Sequence, residues 1–324
     1  MTKPRLSRRH LLAMAGAAAL PVSAHAESFP SQPIRLICPF APGPSIDALM
    51  RTMADSLRKQ LNGTVVVDNK PGAGGTLGAI EVAAAKPDGY TLTELPDAFY
   101  ILPQIQKVPF NPLTDFTYVA CLVGTVYGMA VLKESPLKTM KDVIEYAKAN
   151  PGKFTYSTAG VGTMNHLIME GLAQKLGIDW IHVPYKGATP ATMAVLSGEV
   201  VATSGTTAWA PFVDSGKFRL IATYGSTRTT RWPDVPTLKE LGYDVVADGP
   251  AGFAGPKGMD PEIVKRLQDA FKKSLDDPEV IKTLDLNAMP VLYRDSADYT
   301  KLAAQMYADA GNLIHRLGPR LKLG

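Results

Sequence analysis

Two short loops, far apart in the chain, each stand between a strand-like run and a helical pattern, and they commit the chain to packed layers of strands and helices. Residues 34–40 read as a buried strand, followed by Ala41-Pro42-Gly43-Pro44-Ser45 and a helical pattern opening near Ile46-Asp47. Residues 153–157 read as a second strand, followed by Ala159-Gly160-Val161-Gly162-Thr163 and another helical pattern. The first N–H groups of a helix lack intrahelical partners, and the helix dipole favours negative charge there. Small loop residues let ligand atoms approach those groups. Two such ends facing one cleft make a clamp for a small anion, an arrangement that suggests a receptor more than a catalyst.

The N-terminus reads as a leader. Lys3, Arg5, Arg8 and Arg9 precede the apolar run 11–20, and Ala24-His25-Ala26 offers a small-residue cleavage site. The run is too short to span a membrane. Ser7-Arg8-Arg9-His10-Leu11-Leu12 is similar to a twin-arginine export signal. Residues 1–26 are therefore expected to be a signal peptide, and the mature chain to be periplasmic.

Setting the leader aside changes the charge reading. The whole chain has 34 Lys+Arg and 30 Asp+Glu, a net +4. The leader holds four of those bases and no acid, so the rest balances at 30 against 30. No basic surplus supports nucleic-acid binding. The remaining length is ample for two domains with their own cores. Cys38 and Cys121 lie in apolar runs outside any CxxC pattern, and read as buried small hydrophobes; no metal site or cofactor is expected.

Strand-like and helical runs alternate throughout. Ile46, Leu49, Met50, Met53, Leu57 and Leu61 fall on one face of a first helix. Strands at 65–67 and 90–95 with a helix over 77–85 complete a βαβαβ order, which implies a parallel sheet whose ligands sit beyond the carboxyl ends of its strands. A second series runs from 126–132 through helices at 140–149, 164–176 and 191–196 and strands at 154, 180–183, 200–203 and 218–223. Longer helices follow over 262–275 and 297–317, the first opened by Asp260-Pro261. Gly72-Ala73-Gly74-Gly75-Thr76-Leu77-Gly78 places its third glycine one position too late for a dinucleotide loop and follows the second strand, so it reads as a tight turn.

At this level the sequence resembles the Bug-type substrate-binding proteins of tripartite tricarboxylate transporters. The resemblance rests on the order and spacing of several segments: Pro33-Ile34-Arg35-Leu36-Ile37-Cys38-Pro39-Phe40 with Pro42-Gly43 and Asp47; Asp68-Asn69-Lys70-Pro71-Gly72-Ala73-Gly74-Gly75; and Pro87-Asp88-Gly89-Tyr90. Ser157-Thr158-Ala159-Gly160-Val161-Gly162-Thr163-Met164-Asn165-His166, His182-Val183-Pro184-Tyr185-Lys186-Gly187 and Pro233-Asp234-Val235-Pro236-Thr237 complete it. The resemblance implies an α/β, two-lobed type II periplasmic binding protein fold with a ligand cleft between the lobes. Lobe 1 would take 27–125 and 225–324, and lobe 2 would take 126–224.

Function is implied in the same way: a monomeric extracytoplasmic solute receptor, not an enzyme, that closes on a small carboxylate or dicarboxylate, aliphatic or aromatic, and hands it to membrane permease subunits. Carried over residue by residue, the first ligand loop is Pro42, Gly43, Pro44, Ser45 and Asp47. The second is Ser157, Thr158, Ala159, Gly160, Gly162 and Thr163 with Asn165 and His166. Asp97 and the 204–208 turn, with Thr206 and Thr207, would sense the far end of the ligand, and Tyr185 would line the cleft.

Several of these residues have structural readings as well. Asp47 suits the first turn of any helix, His166 suits a positioning role, and Trp209 and Phe99 suit either an aromatic ligand or core packing. Pro44 removes a backbone donor from the first loop, so Gly160–Thr163 is expected to carry more of the anion. Asp97 stands where relatives carry Thr-Asn, and an acid there either repels a second carboxylate or accepts from a donor. An exported hydrolase is the rival class, but GxSxG and HExxH are absent. A sensory partner of a membrane kinase is the other alternative.

Overall fold

The computed structural model describes residues 29–43 and 45–321. The signal-peptide reading and Pro44 lie outside the described residues. Two sheets organise the rest. In chain order the first sheet takes β1 (Ile34–Cys38), β2 (Val65–Asn69), β3 (Thr91–Glu94) and β4 (Phe116–Val123). The chain then crosses to a second sheet made of β5 (Gly128–Leu132), β6 (Thr155–Thr158), β7 (Ile181–Pro184), β8 (Ala202–Gly205) and β9 (Phe218–Thr223), and returns for β10 (Ala251–Pro256) and β11 (Val291–Arg294).

Spatial order is β11-β4-β10-β3-β1-β2 in lobe 1 and β7-β6-β8-β5-β9 in lobe 2. The βαβαβ units give parallel pairs: β1 with β2 and β3, and β6 with β7 and β8. Strands that arrive by a crossing run antiparallel, β10 between β3 and β4, and β5 between β8 and β9. Both ligand loops leave the carboxyl ends of parallel strands, where open α/β sheets bind ligands.

Periodicity explains the helices. The Ser45–Leu61 helix buries Leu49, Met50, Met53, Leu57 and Leu61 against one face of the first sheet, together with the Pro261–Ser274 and Pro278–Leu286 helices. Asp260 and Asp277 cap the latter two, each followed by proline in the first turn. Cys38 and Cys121 are free and fully buried in this lobe. Burial pushes both thiols up, to about 11 and about 12.

The second boundary between lobes differs from the sequence expectation. The resemblance implies a return to lobe 1 at about 225, but residues 225–247 pack with lobe 2. Leu238 is fully buried there, Tyr243, Val245 and Ala247 pack on the same core, and the Ala247 N–H donates to the Tyr224 carbonyl at 2.7 Å. The return crossing is therefore 248–250. It touches the outward crossing at 124–127, since the Thr125 N–H donates to the carbonyls of Asp248 and Gly249 at 3.0 and 2.9 Å. Gly249 has φ +53, and a Cβ there would meet Thr125 and Tyr127 at 2.7 Å, so the two crossings fit together only with glycine.

Beyond the crossings the lobes meet where Arg231 donates to the carbonyls of Asp285 and Leu286, and along an apolar seam. Ile101 from lobe 1, Leu167 from lobe 2, and Ala310, Leu317 and Leu321 from the C-terminal segment form a buried cluster. The Gln174 side chain also donates to the Arg316 carbonyl at 2.9 Å. No helix among the described residues is long and apolar enough to cross a membrane.

Candidate functional site between the lobes

The first loop is held by its own helix. The Gly43 N–H donates to Asp47 Oδ2 at 2.9 Å, and Arg51 donates to both carboxylate oxygens at 3.0 Å. Asn69 Nδ2, at the end of β2, adds a bond to Asp47 Oδ1 at 2.7 Å and one to the Phe40 carbonyl at 3.0 Å. Asp47 is buried. Burial alone would raise its carboxyl, but the bonds from Arg51, Asn69 and Gly43 outweigh that and hold it below the usual range. The reading of Asp47 as a ligand contact is therefore corrected: its oxygens are occupied, and the Gly43 N–H is aimed at it. Pro42 is exposed and Ser45 half-buried, and the Ser45 hydroxyl has no partner among the described residues.

The second loop repeats this lock with different chemistry. The Gly162 N–H donates to His166 Nδ1 at 3.1 Å, again four residues ahead. That bond requires an unprotonated Nδ1, so the ring is neutral with its proton on Nε2. His166 stacks on His182, with ring centroids 3.9 Å apart, and His182 stacks in turn on Tyr156. His182 Nε2 pairs with Thr158 Oγ1 at 2.7 Å. Burial pushes His166 down to about 4; burial and the neighbouring ring push His182 down to about 3. Both are neutral at ordinary pH.

The remaining loop groups divide into spent and free. The Gly160 N–H donates to Thr158 Oγ1 at 3.2 Å, and the Thr163 hydroxyl donates to the Gly160 carbonyl at 2.9 Å while capping the helix at His166. Gly160 and Gly162 thus spend their N–H groups on loop geometry, which leaves this loop fewer donors for an anion. The N–H groups of Val161, Thr163, Met164 and Asn165 have no partner among the described residues, as expected at a helix start. Asn165 Oδ1 is buried without a partner among the described residues.

Lobe 1 carries two neighbouring acids, one at the end of β3 and one just before the Ala98–Ile105 helix. Asp97 precedes the Ala98–Ile105 helix and accepts a hydrogen bond from the Tyr127 hydroxyl on the outward crossing. Glu94, the last residue of β3, is 4% exposed and its Oε2 has no partner among the described residues. Burial pushes Asp97 up to about 7, and burial plus the Asp97 charge pushes Glu94 up to about 8. Behind them lies a cavity of about 590 Å³ between the lobes, lined by Asp97, Tyr127, Leu167, Ile168, Val246 and Leu313 among others. Its volume suits a small organic molecule.

These are the features of a ligand cleft, and sequence comparison says whose. A sequence model described as "Tripartite tricarboxylate transporter family receptor" matches residues 49–319. The chain belongs to that receptor family. A relative from Cupriavidus necator, described as a UPF0065 protein in the gbd 5' region, is 43% identical over 97% of this chain and 98% of its own. BugT of Bordetella pertussis is 33% identical over 96% of each chain. Among solved structures, MatC from Rhodopseudomonas palustris with bound malate has a TM-score of 0.75 at 27% identity, covering 88% of this chain and 100% of its own. A second R. palustris protein, Rpa4515 with adipate, has a TM-score of 0.79 at 25% identity, covering 90% and 98%. The two-lobed α/β fold is shared with these receptors.

Other residues singled out in this receptor family member take structural positions. Ser157 is fully buried, and its hydroxyl donates to the Ala191 carbonyl at 2.7 Å, fastening β6 to the Ala188–Leu196 helix. Its assignment to the ligand set is corrected on that ground. The Tyr185 hydroxyl donates to Glu199 at 2.6 Å, which commits it to a contact within lobe 2. Trp209 is fully buried against Trp232, and Phe99 stacks on Phe110 in the lobe 1 core, so neither ring covers a ligand. Ala159, Thr206 and Thr207 are half-buried on loops after β6 and β8. The glycines at 72–75 form a tight turn whose 3₁₀ segment, Ala73–Gly75, opens on Gly72. Sequence reasoning missed Glu94, Tyr127 and His182; an acid at the carboxyl end of β3 was the available signal for the first. Among the described residues no group of three or more His, Cys, Asp or Glu is placed to hold a metal ion.

Proposed function

We propose that this receptor binds a small organic acid by its carboxylate between the two lobes, outside the cytoplasm, and delivers it to the membrane subunits of a tripartite tricarboxylate-type transporter. The observation that carries the reading is the start of the Met164–Leu176 helix, where the N–H groups of Val161, Thr163, Met164 and Asn165 lack partners among the described residues and the helix dipole favours an anion. Malate and adipate in the related receptors support the same ligand class. The locks at Gly43 and Gly162 hold both loops in shape before ligand arrives, which lowers the ordering cost of binding.

Binding drives hinge closure only through contacts made in the closed state. The ligand bridging the two lobes supplies them, and the membrane subunits then recognise the closed form. Turnover has no support from the site. An acyl-transfer mechanism would need Ser157 and His166, and both are engaged elsewhere. The test is calorimetry and thermal melting of ligand-stripped protein against malate, adipate, monocarboxylates and aromatic acids. A true ligand at a hundredfold excess over its Kd stabilises by about 2.7 kcal/mol. If no acid binds while a ligand without a carboxylate does, the carboxylate reading is wrong.

A further inference from the structure

The glycine-rich loop of lobe 2 is tied down at two points, and one side chain touches both ties. The Val161 and Thr163 N–H groups have no partner among the described residues, while the glycines on either side of Val161 are bonded. Gly160 and Gly162 have φ +146 and +76, a region where glycine is free to wander, so the ties are what hold the unpartnered donors in one arrangement. The Gly160 tie runs through Thr158 Oγ1, which accepts the Gly160 N–H at 3.2 Å and pairs with His182 Nε2 at 2.7 Å. The Gly162 tie runs through His166 Nδ1, and the His166 ring lies on the His182 ring with centroids 3.9 Å apart.

Strand pairing puts His182 where it can do both. It stands opposite Tyr156 in the parallel register of β6 and β7, and Thr158, two positions along β6, shares the face of Tyr156. Tyr156 backs the His182 ring at 5.1 Å and is itself anchored, its hydroxyl donating to Glu170 at 2.8 Å. We propose that His182 is the positioning residue of this loop: its Nε2 fixes Gly160 through Thr158, its ring face fixes Gly162 through His166, and so it sets the affinity for the bound anion. The effect on affinity rests on the carboxylate reading above; the effect on the loop does not.

The two contacts use different parts of the ring and can be separated. His182→Phe keeps a stacking face and loses the bond to Thr158; His182→Gln keeps a polar N–H and loses the stack; His182→Ala loses both. Amide exchange followed by NMR on the ligand-free protein, with Gly43 in the other lobe as reference, reads the outcome. Gly160 should exchange roughly tenfold faster in His182→Phe, Gly162 in His182→Gln and both in His182→Ala, at an unchanged Gly43 rate. In calorimetry with adipate and malate, His182→Ala should bind whichever acid the parent binds roughly tenfold more weakly. An unchanged rate at either glycine in folded His182→Ala overturns the proposal. So does an equal rise at Gly43, which would make His182 a general stabiliser, or release of both glycines at unchanged affinity. Imidazole nitrogen NMR shifts of the parent decide alone if the variants fail to fold. They must place the His166 proton on Nε2 and show His182 Nε2 hydrogen-bonded; a proton on His166 Nδ1 or a solvent-like His182 Nε2 overturns the proposal. If neither acid binds the parent, the carboxylate reading loses its support, while the exchange rates still decide the role of His182.

Discussion

The two ligand loops use one lock with opposite electrical character. In each, a glycine N–H four residues upstream of a first-turn side chain donates to that side chain: Gly43 to Asp47, and Gly162 to His166. Lobe 1 uses a carboxylate and neutralises it with Arg51 and Asn69. Lobe 2 uses an uncharged imidazole and supports it with a second ring. An anion-binding helix start tolerates an acidic lock only if a cation stands behind it, and a neutral acceptor avoids that need. The second loop therefore offers the less repulsive surface to a carboxylate. That advantage comes from the lock as much as from the absence of proline.

The largest expected effect falls on the charged lock. Asp47→Ala removes the acceptor for Gly43, Arg51 and Asn69 together and should cost about 3 kcal/mol in urea unfolding, chiefly from the lost bonds of Asn69 and Gly43 to the buried carboxylate, since Arg51 itself is half-exposed. Equal stability of the variant and the parent would show that the lock is ornamental. His166→Ala should cost less, about 2 kcal/mol, through the lost ring stack and the orphaned Gly162 N–H. If it costs more than Asp47→Ala, the neutral lock is the stronger one and the comparison reverses.

Acid and base should separate the two lobes. The folded protein keeps His166 and His182 neutral down to about 4 and about 3, whereas the unfolded chain protonates them near 6.5. Stability is then fully present above 6.5 and falls as pH drops below it. The acid pair acts in the other direction. Folded Glu94 and Asp97 hold protons up to about 8 and about 7 that the unfolded chain releases near 4.5 and 3.8, so stability falls as pH rises through that window. His182→Phe should flatten the acid side of a urea-midpoint profile, and Glu94→Gln the alkaline side. A profile that neither variant changes would refute both assignments.

The smallest effects concern the lock glycines. Gly43 has φ +111 with open space at a Cβ, and Gly162 has φ +76 with Ile105 Cδ1 at 3.2 Å. Gly43→Ala should cost about 1 kcal/mol or somewhat more through backbone strain alone. Gly162→Ala adds a contact with the other lobe, so it should also weaken ligand binding by hindering closure. Calorimetry on both variants checks this: equal affinities would mean that Ile105 yields.

Much of this architecture was legible in the residues. The Met140–Ala149 and Met164–Leu176 helices and β9 (Phe218–Thr223) stand where periodicity put them, because their apolar stripes are local and their caps, such as Thr139 and Thr163, are local too. β10 was not legible. Its sequence, Ala-Gly-Phe-Ala-Gly-Pro, has little strand propensity, and it is a strand because it fills the gap between β3 and β4. A Cβ at Gly252 would sit 2.4 Å from the Ala120 carbonyl, so the glycine that weakens the local signal is what lets the strand fit. The Ala98–Ile105 helix was hidden for a similar reason, by the proline at 103.

The chain by itself determined the alternation of strands and helices, the placement of two glycine-bearing loops at helix starts, and the family to which it belongs, because each depends on short-range order. Tertiary structure decided which of the loop groups are free. Whether an N–H at 43, 160 or 162 faces a ligand or a neighbour depends on Asp47, Thr158 and His166, whose orientations are set by Arg51 on the same helix as Asp47 and by Asn69 and His182 arriving from other strands. It also decided that Glu94 stands buried beside a half-buried Asp97, with Glu94 Oε2 unpartnered among the described residues, since burial and neighbours are properties of the packed molecule.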